Sequence, residues 1–210
     1  VTNLTLSSGT LTGSGTLDVS GTIAWRGGTM TGSGVTNANG PLTMSGGSGK
    51  VIGRTLNSNV SATWTGTGNI GWDFGGPTVN IAVGTVFDMQ NDATIGTDGG
   101  LPGTINIAGT LQKSAGAGTT TFFATVLNNS GLVDVQSGAL SVKGGGTSSG
   151  TFDCTGATLT FLGGTYTNTG TAAITGGNVT FNSATVNHAG SYSITGTTTA
   201  SLGTVNLTGT

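Results

Sequence analysis

Charge is scarce in this sequence. Only 6% of its 210 residues are charged, with five Lys or Arg against seven acidic residues, all of them Asp. A protein that neutralises nucleic-acid phosphates needs a basic stripe or patch, and five scattered basic residues do not form one. We therefore expect no nucleic-acid partner, and we expect hydroxyl and amide side chains to keep the protein in solution.

Cysteine and long apolar runs are also lacking. Cys154 is the only cysteine, so an intrachain disulfide is excluded. No apolar run approaches the ~18 residues of a membrane helix, and we expect no membrane insertion. No signal peptide is visible and the chain begins with Val1, which leads us to expect a mature form or a fragment.

Glycine, in contrast, is abundant: 42 of the 210 residues, against an average of about 7%. Collagen is excluded because glycine does not recur at every third position. Disorder is disfavoured because 34% of the residues are hydrophobic and they recur in ordered columns. Helices are disfavoured because Gly, Thr, Ser and Asn are poor helix formers and no 3.6-residue apolar stripe exists. A turn-dense β fold remains.

A short unit recurs along the chain. It begins with an anchor residue, usually glycine, and reads GTLDV (15–19), GPLTM (40–44), GTINI (103–107), GLVDV (131–135), GTFDC (150–154), GTAAI (170–174) and GSYSI (190–194), with looser copies from Val60 and Thr85. The last four anchors are almost equally spaced, whereas the earlier ones are not. We therefore predict a single domain over 1–210, with regular rungs in 131–210, irregular rungs in 1–130, and loops near 26–39, 70–80 and 112–124.

Within each unit the residue types alternate. The second and fourth positions after the anchor are apolar or aromatic, the position between them is polar in eight of nine units, and the sixth is Gly, Asn or Ser. Period-two alternation is typical of a strand with one buried face. We predict a parallel β-helix (β-solenoid) with three short strands per rung of about 20 residues. We expect a right-handed coil, with a two-sheet solenoid as the alternative.

The longer phrases carry a family resemblance. GTLTGSGTLDVSGTIAWRGGTMTGSG (9–34), TLNSNVSATWTGTGNI (55–70) and LNNSGLVDVQSGALSVKGGGTSSGTF (127–152) resemble repeats of large bacterial secreted and cell-surface β-strand-repeat proteins. Those repeats are similar to the filamentous-haemagglutinin and autotransporter-passenger type of β-helix. The resemblance implies an extracellular, bacterial, structural or adhesive role, and it carries no catalytic motif.

Asp134 and Asp153 are the sharpest candidates for an active site. They occupy the same position in successive units, which predicts a separation of about 5 Å between neighbouring strands. Two carboxylates at that separation suit retaining glycoside hydrolysis or a hard cation such as Ca²⁺. The favoured interpretation is a solvated outer face whose charges discourage lateral aggregation. We expect no catalytic residue and no cofactor, with this pair as a weak candidate cation site.

Three further residues are assigned on their positions. His188 is the only histidine and follows a strand with no evident partner for a metal, so a surface position is expected. Cys154 falls in the inward column and is expected to be a small core residue. Trp72 lies in a less regular stretch, where burial under a loop is favoured over a sugar-stacking platform.

These patterns favour a non-enzymatic extracellular structural module: an adhesin stalk, a surface-layer or matrix component, or a fibre-forming subunit. The alternatives are a carbohydrate-binding or carbohydrate-cleaving β-helix and an ice-binding solenoid, the latter because Thr-x-Thr patterns recur at 10–12, 63–65, 158–160 and 165–167. Neither end of the sequence resembles a cap. We therefore expect either neighbouring repeats of a longer chain or self-association end to end, and glycans are a further candidate partner.

Overall fold

The fold is known from a computed structural model, which describes residues 1–96 and 101–209. In these residues the only regular secondary structure is β-strand, and neighbouring strands pair in parallel. The chain forms a β-solenoid of about ten rungs. The predicted fold class is therefore confirmed, while the hand of the coil remains a prediction.

Each rung contributes one strand to each of three parallel ladders, which we name sheets A, B and C in chain order. Sheet A contains Leu4–Leu6, Ile23–Trp25, Leu42–Met44, Ala62–Trp64, Val86–Met89, Thr110–Lys113, Leu132–Val135 and Ser191–Ile194. Sheet B contains Thr10–Leu11, Gly28–Met30, Lys50–Ile52, Ile70–Trp72, Thr94–Gly96, Thr119–Phe123, Ala139–Val142 and Thr198–Ser201. Sheet C contains Thr16–Val19, Val35–Ala38, Thr55–Ser58, Thr78–Ile81, Gly103–Ile107, Thr125–Asn129, Gly146–Ser148 and Thr204–Leu207.

Two rungs near the C-terminus have almost no break at their corners. Thr151–Asn168 and Ala173–His188 are each one continuous strand that passes through all three sheets, and the two pair with each other from Thr151 to His188. Ten rungs at the ~4.8 Å spacing of paired strands give a rod about 45 Å long.

The register of sheet A shows how much the rungs differ in length. Leu4 pairs with Ile23, Ile23 with Leu42 and Leu42 with Ala62, so the first three steps along the sequence are almost equal. The next step, from Ala62 to Phe87, is longer because the corners of that rung carry additional residues. The extra length lies in the corners, while the strands keep their register.

The interior is made of the inward-facing columns of the three sheets. Most of its residues are apolar, and Ile23, Trp25, Trp64, Phe161 and Phe181 are completely or almost completely buried. The rings of Phe161 and Phe181 stack with centroids 5.5 Å apart and planes 11° apart. An apolar void in the middle of the rod amounts to only about 10 Å³, which is barely the space of one water molecule. The rod is therefore filled by its own side chains.

Tyr166 brings a polar hydroxyl group into this aromatic interior. Its ring packs edge-on against Phe161 with centroids 4.9 Å apart, and its hydroxyl donates to the carbonyl oxygen of Val142 at 2.7 Å. Burial raises the pKa of Tyr166 to about 12, so the hydroxyl remains a donor at neutral pH.

The structure corrects the column assignment made from the sequence. The units that begin at Gly15 and Gly103 lie in sheet C, whereas most of the other units lie in sheet A. Phe152 pairs with Ile174, not with Ala172, because the preceding corner is longer than predicted. Much of the predicted loop at 26–39 forms the strands Gly28–Met30 and Val35–Ala38. The assignment of units to sheets failed because all three sheets have the same alternation, so a sequence column can pass from one sheet to another.

Glycines at the corners serve two different purposes. Gly46 has a φ of 79°, a conformation that a side chain disfavours. Gly66, one rung further along, has no such φ, but a Cβ atom there would collide with the carbonyl oxygen of Gly46. The predicted corner glycines are therefore required in part by φ and in part by the close approach of successive rungs.

A variant of Ile174 tests the assignment of residues to the inward columns. The side chain of Ile174 is completely buried between Phe152 and Tyr192 of the neighbouring rungs. We expect Ile174→Asp to lower the free energy of unfolding by about 3 kcal/mol or more, since it buries a charge without a partner. Chemical denaturation followed by circular dichroism measures the change.

Thr180→Asp is the matched control, because Thr180 lies in sheet B of the same continuous strand with its side chain on the outer face. A surface change of this kind is expected to shift the free energy of unfolding by only about 0.5–1 kcal/mol. Equal stability of the two variants would contradict the inward assignment of Ile174.

Candidate functional site: the outer face of sheet C and the ends of the rod

The outer face of sheet C carries two lanes of mostly polar residues that run along the rod. We name them the threonine lane and the asparagine lane. The threonine lane contains Thr16, Val35, Thr55, Thr78, Thr104, Val126, Gly145, Thr165, Thr185 and Thr204. The asparagine lane contains Asp18, Asn37, Asn57, Asn80, Asn106, Asn128, Thr147, Thr167, Asn187 and Asn206. Parallel pairing in register places each residue beside its equivalent one rung away.

Amide hydrogen bonds connect the asparagine lane into a ladder. The Nδ2 atom of Asn57 donates to Oδ1 of Asn37 at 2.7 Å, and Asn80, Asn106 and Asn128 each donate in the same way to the preceding member at 2.7, 2.8 and 3.0 Å. Asn37 donates in turn to Oδ1 of Asp18 at 2.7 Å. All of these bonds point towards the N-terminal end of the rod, and Asp18 is the terminal acceptor. Each contributes about 1 kcal/mol.

Two threonines interrupt the ladder in its C-terminal half. Thr147 donates from Oγ1 to Oδ1 of Asn128 at 3.2 Å, which closes the first segment. Thr167 follows in the lane. A second, shorter segment then begins, in which Asn206 donates to Oδ1 of Asn187 at 2.7 Å. The lane is therefore divided into a long segment that ends at Asp18 and a pair near the C-terminal end of the rod.

Behind this face, one inward column of sheet C is mostly apolar in its first half and polar from Asn129 to His188. It reads Val19, Ala38, Ser58, Ile81, Ile107, Asn129, Ser148, Asn168, His188 and Leu207. The polar members are paired inside the protein. For example, the Nδ2 atom of Asn129 lies 3.0 Å from the carbonyl oxygen of Thr151, to which it donates.

His188 belongs to this polar column, and the prediction that it lies at the surface is wrong. Its side chain is only 1% exposed. Nε2 lies 2.8 Å from the carbonyl oxygen of Ser191, which accepts only, so Nε2 carries the hydrogen. Nδ1 then accepts from Nδ2 of Asn168 at 3.2 Å. Both ring nitrogens have protein partners, and the histidine joins two neighbouring rungs.

Asp134 and Asp153 are neighbours in register on the outer face of sheet A. Each carboxylate already has a partner on its own strand or corner: Oδ2 of Asp134 accepts from Nε2 of Gln136 at 2.7 Å, and Oδ1 of Asp153 accepts from Oγ1 of Thr155 at 2.6 Å. In the part of the chain that the structure describes, no group of three or more His, Cys, Asp or Glu side chains is placed to hold a metal ion. A Ca²⁺ ion takes six to eight oxygen ligands, and the weak cation pair stays a prediction.

Cys154 and Trp72 are both buried, although Trp72 lies in the core of the rod at the end of the strand Ile70–Trp72 and not under a loop as predicted. Cys154 is fully buried, and burial raises the pKa of its thiol. Trp72 is 5% exposed, and its Nε1 atom donates to Oγ1 of Thr125 at 2.9 Å. In contrast, the neighbouring Phe74 is 83% exposed on the corner loop after sheet B.

Buried lysine and arginine side chains donate hydrogen bonds to backbone carbonyl oxygens at or near the corners. The sequence did not predict these contacts. Lys113 is fully buried, and its Nζ atom donates to Oδ1 of Asp92 at 2.8 Å and to the carbonyl oxygens of Asn91 and Ala115. The hydrogen bond from Lys113 is the main reason that the pKa of Asp92 is lowered. Arg54 is 4% exposed, and its Nη2 atom donates to the carbonyl oxygens of Gly15 and Val35, on the two preceding rungs.

The two ends of the described rod expose inward columns that are buried elsewhere. At the N-terminal end these are Leu4, Leu11 and Leu17, which are half-buried. At the C-terminal end they are Tyr192, Ile194 and Val205, also half-buried, and Leu207, which is 46% exposed. Both end faces are therefore apolar and surrounded by polar outer lanes.

The pair of Asp92 and Lys113 leads to a pH prediction. A carboxyl whose pKa is lower in the folded state stabilises the fold above its unfolded pKa of about 3.9, and this contribution is lost as the pH falls through the folded pKa. We expect Asp92→Asn to lose stability at neutral pH and to show a weaker loss of stability between about pH 4 and pH 2 than the original protein. Urea unfolding at stepped pH measures both effects.

Thr67→Ser is the control, because Thr67 is an exposed residue of the groove that also contains Asp92. It should leave the acid dependence unchanged. If Asp92→Asn has the same acid dependence as the original protein, then Lys113 does not stabilise the charged form of Asp92.

Among the described residues, no helix has the length and apolarity that a membrane span requires. Comparison with protein-family models, curated proteins and solved structures found no match to this chain. The resemblance to bacterial surface β-helices therefore stays a prediction, and the faces and ends of the solenoid are the features that bear on function.

Proposed function

We propose that this protein is a non-enzymatic structural module that stacks end to end into fibres outside the cell, as part of an adhesin stalk, a surface layer or a matrix. The observation that carries this proposal is the pair of apolar end faces. A strand edge with exposed apolar side chains is a template for pairing with another strand. A contact between two different ends of identical molecules does not close, and it produces filaments.

The two end faces are complementary when the C-terminal rung of one copy continues onto the N-terminal rung of the next. Continuation of sheet A places Tyr192 beside Leu4 and Ile194 beside Leu6. Continuation of sheet C places Val205 beside Leu17 and Leu207 beside Val19. These are the same inward columns that stack within the protein. The junction thus joins apolar to apolar surface, and water is removed from both ends.

The sides of the rod support an extracellular role. Their residues are mostly Thr, Ser, Asn and Gly, with only 6% charged residues in the chain. The one thiol, Cys154, is buried, so an oxidising environment has no exposed cysteine to modify. Glycans remain a candidate partner, since amides and hydroxyls of Asn106, Asn128 and Thr147 line a groove of about 340 Å³ together with apolar atoms of Ile107 and Ala108.

A variant of the C-terminal end face tests the proposal. We expect the original protein to associate as its concentration rises, and electron microscopy to show rods longer than the about 45 Å of one copy. Leu207→Lys places a charge in the stacked surface and should abolish this association, because the ammonium group would be buried without a partner. Analytical ultracentrifugation measures the association.

Thr199→Lys is the matched control. It adds the same charge to the same rung, but Thr199 is exposed on the outer face of sheet B. This variant should associate like the original protein. A protein that stays monomeric at every concentration, or a Leu207→Lys variant that still forms rods, would contradict stacking through the end faces.

Ice binding is a second candidate, and the outer face of sheet C favours it. The threonine and asparagine lanes are parallel and repeat at the ~4.8 Å spacing of the rungs. Most members of the threonine lane are threonine, and the exceptions are two valines and one glycine. A regular array of methyl, hydroxyl and amide groups is suited to hold water molecules in a repeating arrangement.

Thermal hysteresis measures this second function. We expect a gap between the melting and freezing temperatures in the presence of the protein. Thr104→Tyr should abolish the gap, because it places a bulky ring in the middle of the threonine lane. Thr63→Tyr, on the outer face of sheet A, is the control and should keep it. Equal activity of the two variants would exclude the outer face of sheet C as the ice-binding surface.

A further inference from the structure

All hydrogen bonds in the long segment of the asparagine lane point the same way, so the two ends of this segment differ in what they can bond. From Asn128 to Asn37, each Nδ2 donates towards the N-terminal end. Asp18 completes the series in place of an asparagine. An asparagine in this position could accept from Asn37 and donate onward, whereas an ionised carboxylate can only accept.

Asp18 therefore requires a donor from any rung that is added before it. The residue is exposed on the first rung of sheet C, and one of its oxygens already accepts from Asn37. Among the described residues, no second side-chain hydrogen bond to this carboxylate is found, while the α-ammonium group of Val1 donates to the backbone oxygen of Asp18 at 2.6 Å. A neighbouring hydroxyl or amide would satisfy the other carboxylate oxygen, whereas a carboxylate or a carbonyl oxygen would repel it.

We propose that Asp18 is a junction residue that receives the amide of Asn206 from a second copy of this chain and thereby fixes the order of copies in the fibre. This inference depends on the proposed end-to-end association and identifies the polar contact that orients it. Asn206 is the last member of the asparagine lane. When Val205 lies beside Leu17 and Leu207 beside Val19, Asn206 lies beside Asp18.

The contact requires the last two amides of the lane to reverse. In the isolated chain Asn206 donates to Asn187, which leaves Oδ1 of Asn206 as the group nearest to the next rung. Rotation of both amides lets Asn206 donate to Asp18 and accept from Asn187. The torsion about the bond to an amide group is broad, so this rotation is inexpensive.

The break in the ladder at Thr167 makes this reversal independent of the other amides. Thr167 precedes Asn187 in the lane, and its hydroxyl can donate or accept. It can therefore meet Asn187 in either orientation, and the long segment from Asn37 to Asn128 keeps its direction. At the junction, donors then converge on Asp18 from both sides.

Strand direction agrees with this order. All strand pairs in the described rod are parallel, and a C-terminal rung that continues onto an N-terminal rung keeps them parallel. Two N-terminal ends would meet with antiparallel strands and would lose the column register. Thr208 and Val1 take the same corner position in the head-to-tail junction, as their bonds to His188 and Ser20 indicate, so the junction requires one of the two to leave that corner.

A charge exchange between the two ends tests the proposal. Asn206→Asp places a carboxylate opposite Asp18, and we expect the dissociation constant for end-to-end association to rise by about tenfold or more. Asp18→Asn leaves an amide at the junction, and its association should be within about threefold of the original protein. The double variant carries both changes. It restores an amide opposite a carboxylate and should associate within about threefold of the original.

Ser193→Asp is the matched control, since it adds one negative charge to the same rung but faces Thr5 across the junction. It should associate like the original protein. Sedimentation velocity gives the dissociation constants, and circular dichroism establishes that each variant is folded. The last rung is largely exposed, so these changes leave the rest of the rod intact.

The results of this experiment distinguish the contact between Asp18 and Asn206 from end-to-end association itself. If the original protein does not associate, end-to-end stacking and the junction are both wrong. If it associates, but Asn206→Asp associates equally well or the double variant is not restored, then the rods stack and Asp18 does not orient them. Restoration by the double variant, with the single Asn206→Asp variant impaired, supports the assignment.

Discussion

The parallel hydrogen-bond ladder between rungs is the constraint on which the rest of this structure depends. Each strand pairs in register with its equivalent one rung away, so every side chain lies beside a residue in the same position of the repeat. Residues of one kind are thereby collected into columns. Phe161 stacks on Phe181, and Asn80 bonds to Asn57. Glycine recurs at corners where successive turns of the backbone come too close for a side chain.

The ladder also explains how polar and charged groups can lie inside a thin rod. A polar side chain in an inward column meets the corner or the inward residue of the next rung, where a carbonyl oxygen or another polar group is available. Asn168 and His188 bond to each other in this way, and Lys113 donates to carbonyl oxygens in two successive corners. Buried polar groups with partners of this kind are tolerated, and they restrict the register further because a slip of one residue would leave them unpaired.

The fold could be predicted from the sequence because its two strongest signals are local. Alternation of apolar and polar residues specifies a strand with one buried face, and the recurring glycines mark the corners. The burial of Cys154 could be predicted for this reason. The assignment of units to sheets was less successful, since the motif at Gly15 and the motif at Gly131 look alike but belong to different sheets. Corners of variable length, such as the one before Ala172, shift the count without any change in the strands.

The site features were harder to predict because they depend on neighbours that lie a full rung away in the sequence. His188 alone looks like a surface residue. Its burial becomes apparent only when Asn129, Ser148 and Asn168 are recognised as earlier members of its column. The sequence also contains a pattern that could have revealed the asparagine lane: in many rungs an asparagine follows two residues after a threonine or valine. The glycine anchors do not reveal it, because they mix strands of sheet C with strands of sheet A.

Arg54 gives the two ends of the rod different resistance to fraying. Its guanidinium group reaches across two interfaces to carbonyl oxygens of both preceding rungs, so the first three rungs are tied to one another by a single side chain. The final rung is attached by its backbone ladder and by side-chain bonds to the preceding rung alone, such as those of Asn206 and His188, and most of its residues are exposed. Loss of the first rung therefore breaks a side-chain bond that comes from the third rung, whereas loss of the final rung breaks side-chain bonds to its immediate neighbour only. The two ends of the rod therefore differ in how they are attached to the remaining rungs, as well as in the direction of their hydrogen bonds.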